Sequence, residues 1–348
     1  MKAAIYNPEA KDRAYLSIDE IDKPKLNDKN AIVRITGVGV CGSDLLKLNR
    51  SLVKPGIVLG HEMVGTIEEI SKEMSQKYNL KLGDRILSSH HVPCLKCNHC
   101  LNQQESLCTQ FKTTNFNPGA FCEYLELSEL HLKYTVQKIP NNLGDKEASF
   151  TEPLACCIKA IERSGLKNYQ GQAKVLIIGL GSIGLMLGQL AKYYKPDAQV
   201  TGNDLMESRL ELAQNLGFDK SSAVIASEAK QSTTNHFDFT FLSAGATASI
   251  DSAISHAANG ATIVVFSSVA NELKGYTNND IYYKELTVLG SYSPNLSNLK
   301  ESLELISGGK IQVKELITHE SNLENLGATI EQLKIDKGIK AFLNMSKA

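Results

Sequence analysis

The chain has 348 residues, 42% of them apolar and 22% charged, with a formal net charge of −1 at pH 7. That length exceeds one ordinary hydrophobic core and points to two domains, while the balanced charge offers no basic field to nucleic acid or an anionic membrane. No window nears the roughly 18 apolar residues of a membrane span, and MKAAIYNPEAKDRAYL lacks the apolar run of a signal peptide, so a cytoplasmic address with reduced cysteines is expected.

Ala3–Tyr6 reads as a first strand. IVRITGVGV, GIVLGHEMVGTIEEI, GDRILSSH and FCEYLEL follow, separated by Gly and Pro turns, so the first 145 residues predict a strand-rich, barrel-like domain. Within it, VGVCGSDLLKL (38–48) and LGHEMVG (59–65) carry Cys41, His61 and Glu62. A thiolate, an imidazole and a carboxylate with one position left open is how a catalytic zinc is held. His61 and Glu62 are neighbours and would face apart on a regular strand, so both reach one metal only if the chain turns; Gly60 and Gly65 permit that.

Next comes CLKCNHCLNQQESLC, with Cys94, Cys97, Cys100 and Cys108 spaced C-x2-C-x2-C-x7-C. Four thiolates complete a tetrahedral zinc shell at about 2.3 Å and leave no open position, so this lobe (90–110) predicts a structural zinc. His99 lies inside the loop as a competing ligand, and a redox pair or four unrelated buried cysteines are the other readings. In FTEPLACC (150–157), Glu152 precedes Pro153; it is either a further metal ligand or neighbour, or an acid favoured by a helix start. Cys122, Cys156 and Cys157 read as core cysteines.

KVLIIGLGSIGLMLGQLAKYY (174–194) is a strand, a glycine turn and an amphipathic helix. Gly179, Gly181 and Gly184 form G-x-G-x-x-G, and Ser182 and Ile183 lie in the same turn, where a helix N-terminus binds a pyrophosphate. Strand 199–204 ends on Asp204, placed to accept hydrogen bonds from the adenosine ribose and to repel a 2′-phosphate, which favours NAD over NADP. Arg209 flanks the adenine or is simply exposed. A helix over 208–217, strands over 223–225 and 237–244, a helix over 246–258 and strands over 261–268 and 285–293 continue the alternation of a doubly wound parallel sheet, with 226–236 a polar surface loop. Ligands of such sheets lie at strand C-termini, which makes Ser243, Ser267 and Tyr292 candidates to border a nicotinamide. Helix 295–309, a strand near 315–319, helix 322–334 and a last strand GIKAFLNM complete the chain. That last strand is expected to return to the first domain.

Together these motifs resemble the zinc-dependent medium-chain dehydrogenase/reductase superfamily along essentially the whole chain, in its sorbitol (polyol) and threonine dehydrogenase branch. The resemblance implies an α/β architecture: a GroES-like β-rich catalytic domain over 1–148 with 294–348, and a Rossmann NAD-binding domain over 149–293. It implies two Zn²⁺ ions, one catalytic on Cys41, His61 and Glu62, with Glu152 completing or exchanging into the shell, and one structural on the four-cysteine lobe. E-P-L-A around Glu152 is the mark of the polyol and threonine branch.

By the same resemblance the substrate hydroxyl takes the open metal position, Ser43 passes its proton outward, and a hydride goes to the nicotinamide. Asp44 holds His61; the plain alternative for Ser43 and Asp44 is a helix cap and a first-turn acid. Related enzymes often place a histidine soon after C-G-S-D, whereas Leu45 and Leu46 stand here. His91, in HHVPC, is the candidate cleft histidine, beside a His90 expected to be solvated. Lys47, Arg50 and Lys54 are the cations near this segment. The expected activity is NAD-dependent oxidation of a small secondary alcohol (polyol, sugar, sugar phosphate or threonine-like) by a homodimer or homotetramer. The alternatives are a primary-alcohol or formaldehyde-type zinc dehydrogenase and a non-catalytic zinc- and nucleotide-binding protein.

Overall fold

The computed structural model describes residues 1–11, 14–223, 236–244, 248–267 and 278–345. The strands in chain order are β1 (Lys2–Tyr6), β2 (Leu16–Glu20), β3 (Asn30–Gly39), β4 (Glu62–Ile70), β5 (Arg85–Leu87), β6 (Tyr124–Ser128), β7 (Gln137–Lys138), β8 (Lys174–Ile178), β9 (Gln199–Asn203), β10 (Lys220–Ser222), β11 (Phe237–Leu242), β12 (Ala257–Val265), β13 (Thr287–Gly290), β14 (Ile317–Ser321) and β15 (Lys340–Asn344). Two compact units result: Met1–Pro153 with Asn295–Gly309 and Val313–Ala348, and Leu154–Pro294 with Lys310–Gln312.

The first unit is built on a seven-stranded sheet in the order β14-β15-β3-β4-β5-β7, with β6 also paired to β3, plus the β1-β2 hairpin. This is the GroES-like domain. The last strand does return to it: β15 pairs antiparallel with β3, Phe342 opposite Gly39. Alternating apolar positions of these strands meet inside, where Tyr6, Ile35, Val38, Met63, Phe121, Leu125 and Leu343 are buried. Short helices unmarked by any long apolar period interrupt the strands; α1 (Gly42–Asn49) is the one that matters for chemistry.

The second unit is a six-stranded parallel sheet, β10-β9-β8-β11-β12-β13, a doubly wound Rossmann fold. Central strand β8 buries Val175–Ile178, and β11 buries Phe237 and Phe239–Leu242, as a sheet covered on both faces requires. Edge strand β10 spans Lys220–Ser222, earlier than the expected 223–225, because parallel pairing with Thr201–Asn203 holds it rather than its own apolar side chains. Of that expected strand, residues 224 and 225 lie outside the described ones, as does most of the loop expected over 226–236. Strand β12 starts at Ala257, earlier than expected, since Phe237 pairs with Ala257 across β11. Among the described residues no helix is long and apolar enough to cross a membrane.

Candidate active site

Strand register assembles the first site. β3 and β4 run antiparallel with Gly39 opposite Glu62. The residues just beyond β3 therefore meet those that open β4, bringing Cys41 beside His61 and Glu62. Gly60 turns the chain with φ at +88°, so His61 leaves the strand's alternation before Glu62 enters it. One ligand atom each from Cys41, His61 and Glu62 lies within 4.8 Å of the others.

Cys41 is also the N-cap of α1, its sulfur accepting from Ser43 N at 3.5 Å and from the Ser43 hydroxyl at 3.3 Å. The cap expected of Ser43 is thus made by the cysteine. Asp44, in the first turn and 1% exposed, places Oδ1 3.3 Å from His61 Nδ1. That carboxylate turns the Nδ1 face of the ring toward itself and leaves Nε2 for a metal. Burial alone would lower the His61 pKa, but Asp44 and then Cys41 carry it well above the ordinary value.

The side chain that sequence reasoning passed over is Lys340. Counting back from Phe342 opposite Gly39, it stands across from Cys41, and Val40 N donates to Ala341 O at 2.9 Å. It is 4% exposed, and its ammonium ion-pairs with Glu62. Burial works against its charge, yet Glu62, then Cys41, and Glu152 raise its pKa. The pair occupies space only a glycine leaves: a Cβ at Gly39 would lie 2.1 Å from Glu62 Oε2 and 3.2 Å from Lys340 Cε. The available signal was one charge in the apolar strand GIKAFLNM. Glu152 is 8% exposed near the start of the helix Thr151–Ser164; it lies outside the close set but within electrostatic reach of Lys340.

The donor set suits zinc. It offers sulfur, imidazole nitrogen and carboxylate. Although His61 and Lys340 are in ion-pair range, no hydrogen bond reaches either oxygen of the buried Asp44 or Glu62 carboxylates among the described residues.

The histidines behind the set are rearranged relative to expectation. His90 was expected in solvent, but its ring lies 4.8 Å from that of His61, and its Nδ1 is buried without a hydrogen-bond partner. Burial, and after it repulsion from His61 and His91, drives its pKa well down. His91 Nδ1 donates to Thr114 O at 2.6 Å, and its ring packs 4.6 Å from Phe111. Burial lowers its pKa to about 4, so it is neutral near pH 7.

In the lobe, sulfurs of Cys94, Cys97, Cys100 and Cys108 all lie within 4.8 Å of one another. Cys97 and Cys100 are 3.6 Å apart, and Cys94 and Cys100 4.0 Å. A tetrahedron of sulfurs about 2.3 Å from zinc has edges of about 3.8 Å, so the lobe fits the ion. Main-chain N–H groups, that of Lys96 first, pull the Cys94 thiol down to about 6, while burial pushes Cys100 up to about 12. His99 is in the helical turn Asn98–Leu101, outside the sulfur cluster.

In the parallel sheet the glycine turn leads from β8 into the helix Ser182–Tyr194, whose N-cap is Gly181 and whose first two residues are Ser182 and Ile183. A Cβ at Gly184 would lie 1.8 Å from Gly179 O, whereas one at Gly181 meets nothing within 4 Å. Close helix packing at one glycine and an open approach at another are what a pyrophosphate cradle needs. Asp204 Oδ2 accepts from Leu180 N at 2.7 Å and Oδ1 from Met206 N at 3.0 Å, and Arg209 reaches Oδ2 at 3.4 Å. Arg209 is thus tied to Asp204 rather than free. Ser243 donates to Ile178 O and Gly179 O, and Ser267 to Ala244 O. Both hydroxyl protons serve strand-end carbonyls. Tyr292 is 66% exposed, and its main-chain carbonyl accepts from Lys159 at 3.2 Å.

Comparison with known proteins agrees with this geometry. Residues 27–140 match the alcohol dehydrogenase GroES-like domain and residues 182–308 the zinc-binding dehydrogenase domain. The chain is 27% identical to D-xylulose reductase A of Aspergillus niger over 92% of this chain and 91% of that one. It is 27% identical to L-threonine 3-dehydrogenase of Bacillus licheniformis over 96% of each. A putative zinc-binding dehydrogenase from Sinorhizobium meliloti bound to NADP shares the fold at a TM-score of 0.84, with 22% identity over 99% of each chain. The two matches together span most of the chain, which belongs to the zinc-dependent medium-chain dehydrogenase/reductase family.

Proposed function

We propose that the chain oxidises the secondary hydroxyl of a small polyol, sugar or threonine-like amino alcohol and delivers the hydride to NAD. The observation that carries this reading is the convergence of Cys41, His61 and Glu62, with His61 backed by Asp44. Zinc on these donors supplies a Lewis acid that lowers the pKa of a hydroxyl at its open position.

The chain's own residues do the rest. Ser43, exposed and bonded to the Cys41 sulfur, takes the substrate proton and hands it to solvent. Leu45 and Leu46 offer no onward acceptor, so the relay is short. Asp44 fixes the His61 tautomer. Lys340 balances the carboxylates of Glu62 and Glu152 beneath the set. Residues 1–148 with 294–348 carry metal and substrate; residues 149–293 carry the dinucleotide. There the turn from Gly179 to Gly184 takes the pyrophosphate, and Asp204 takes the ribose hydroxyls and disfavours a 2′-phosphate.

A second copy is the expected partner. Edge strand β13 pairs only with β12 among the described residues and leaves Val288 46% exposed; Tyr282, Tyr283 and Tyr292, within six residues of it in sequence, are 74%, 75% and 66% exposed. An unprotected apolar edge of this kind is covered in a stable protein.

Metal analysis with an NADH-formation screen over secondary and primary alcohols tests the reading. Two zincs per chain and turnover of secondary alcohols are expected. Cys41→Ser is expected to hold one zinc, bind NAD and lose turnover by at least a thousandfold. Full zinc with no turnover on any alcohol would leave a binding protein.

A further inference from the structure

Cys41 of the metal set caps α1. Ser43 and Lys47 are four residues apart, so they share one helix face, separated by about 6 Å along the axis. Of the three cations in this segment, Arg50 and Lys54 are exposed, whereas the Lys47 side chain is 38% exposed. Its ammonium stands 4.0 Å from Asp44 Oδ1, beyond hydrogen-bond range, and makes no hydrogen bond among the described residues. Asp44 does not neutralise it outright, because the same Oδ1 is 3.3 Å from His61 Nδ1. The result is a cation with free donors, one helical turn beyond the proton-accepting serine.

We propose that Lys47 is a specificity-determining residue that binds an oxyanion of the substrate, a carboxylate or a phosphate, about one helical turn from the reacting hydroxyl. This rests on the reading of Cys41, His61 and Glu62 as the place where the hydroxyl reacts. A β-hydroxy carboxylate or a polyol phosphate spans such a gap, and a small unsubstituted alcohol does not. Hydrogen bonds from an ammonium to an oxyanion are charge-assisted and discriminate strongly against an uncharged isostere.

The test uses zinc-loaded full-length protein and matched substrate pairs: L-threonine against L-threonine amide, and sorbitol against sorbitol 6-phosphate. Wild type is expected to favour the charged member of one pair at least tenfold in kcat/KM, with the difference in KM; the pair that responds distinguishes carboxylate from phosphate. Lys47→Met is expected to lower that ratio about tenfold or more, about 1.4 kcal/mol. Lys47→Arg should retain most of it. An unaltered ratio in Lys47→Met, or a wild-type preference for the neutral member of both pairs, overturns the assignment. Turnover of sorbitol with an unaltered ratio removes Lys47 and keeps the dehydrogenase. If no alcohol is turned over, the dehydrogenase reading falls and calorimetric titration with inorganic phosphate and acetate decides Lys47 alone. Binding about tenfold weaker in Lys47→Met supports it, and equal binding overturns it.

Discussion

Replacing Lys340 with Met keeps the length of the side chain and removes its charge. Lys340 and Glu62 are 4% and 1% exposed, so the carboxylate left behind is buried. Deleting one partner of a buried pair costs about 3–5 kcal/mol, most of it the desolvated charge that remains. For a body of roughly 150–250 residues each kcal/mol moves the midpoint by about 2–4 °C. Metal-free Lys340→Met is therefore expected to melt roughly 6–20 °C lower. Zinc at the set brings another cation to Glu62, so the deficit should shrink on loading. Adding Glu62→Gln removes the orphan charge and should restore most of the loss in metal-free protein. The chain has no Trp, so circular dichroism with and without chelator is the assay. A metal-free loss under about 1 kcal/mol, or a double variant no more stable than the single one, would refute the reasoning.

Three further outcomes are expected. Cys100→Ser opens the lobe's zinc shell: one of two zincs should be lost and the segment around Cys94–Cys108 should become protease-sensitive, whereas retention of both zincs would contradict the four-sulfur site. Asp204→Ala should raise the KM for NAD about tenfold and increase the NADP-to-NAD activity ratio; an unchanged ratio would reject its role at the ribose. Asp84, with its side chain 10% exposed, accepts from Lys138 at 2.8 Å and Lys81 N at 3.0 Å. Burial alone would raise its pKa, but the hydrogen bonds from Lys138 and then from the Lys81 N–H hold it below the ordinary value. Its stabilisation is present above the unfolded value near 3.9 and is lost as pH falls through the lower folded value. Asp84→Asn should cost about 1–2 kcal/mol at pH 7, with the gap closing below about pH 4 in urea titrations.

Local patterns were the legible part. Four cysteines within one short loop bring their sulfurs together whatever the rest of the chain does, because so few residues separate them. The glycine turn after β8 declares itself because strand, turn and helix are contiguous. The run of buried apolar segments separated by helices leaves a parallel sheet as the natural arrangement. Where side-chain hydrophobicity was the guide, edges drifted: β10 is held by its neighbour's backbone, which no apolar pattern records.

By itself, then, the sequence determined which residues are chemically able to bind zinc and a dinucleotide, since ligand type and short spacing are local properties. Only the tertiary structure decided what surrounds them. The β15–β3 register slid Lys340 beneath Glu62, and the buried wall near Phe116 placed His90, not His91, against His61. The physical reason is that charge compensation in a low-dielectric interior depends on distance in space, and strands far apart in the chain become neighbours only through backbone pairing.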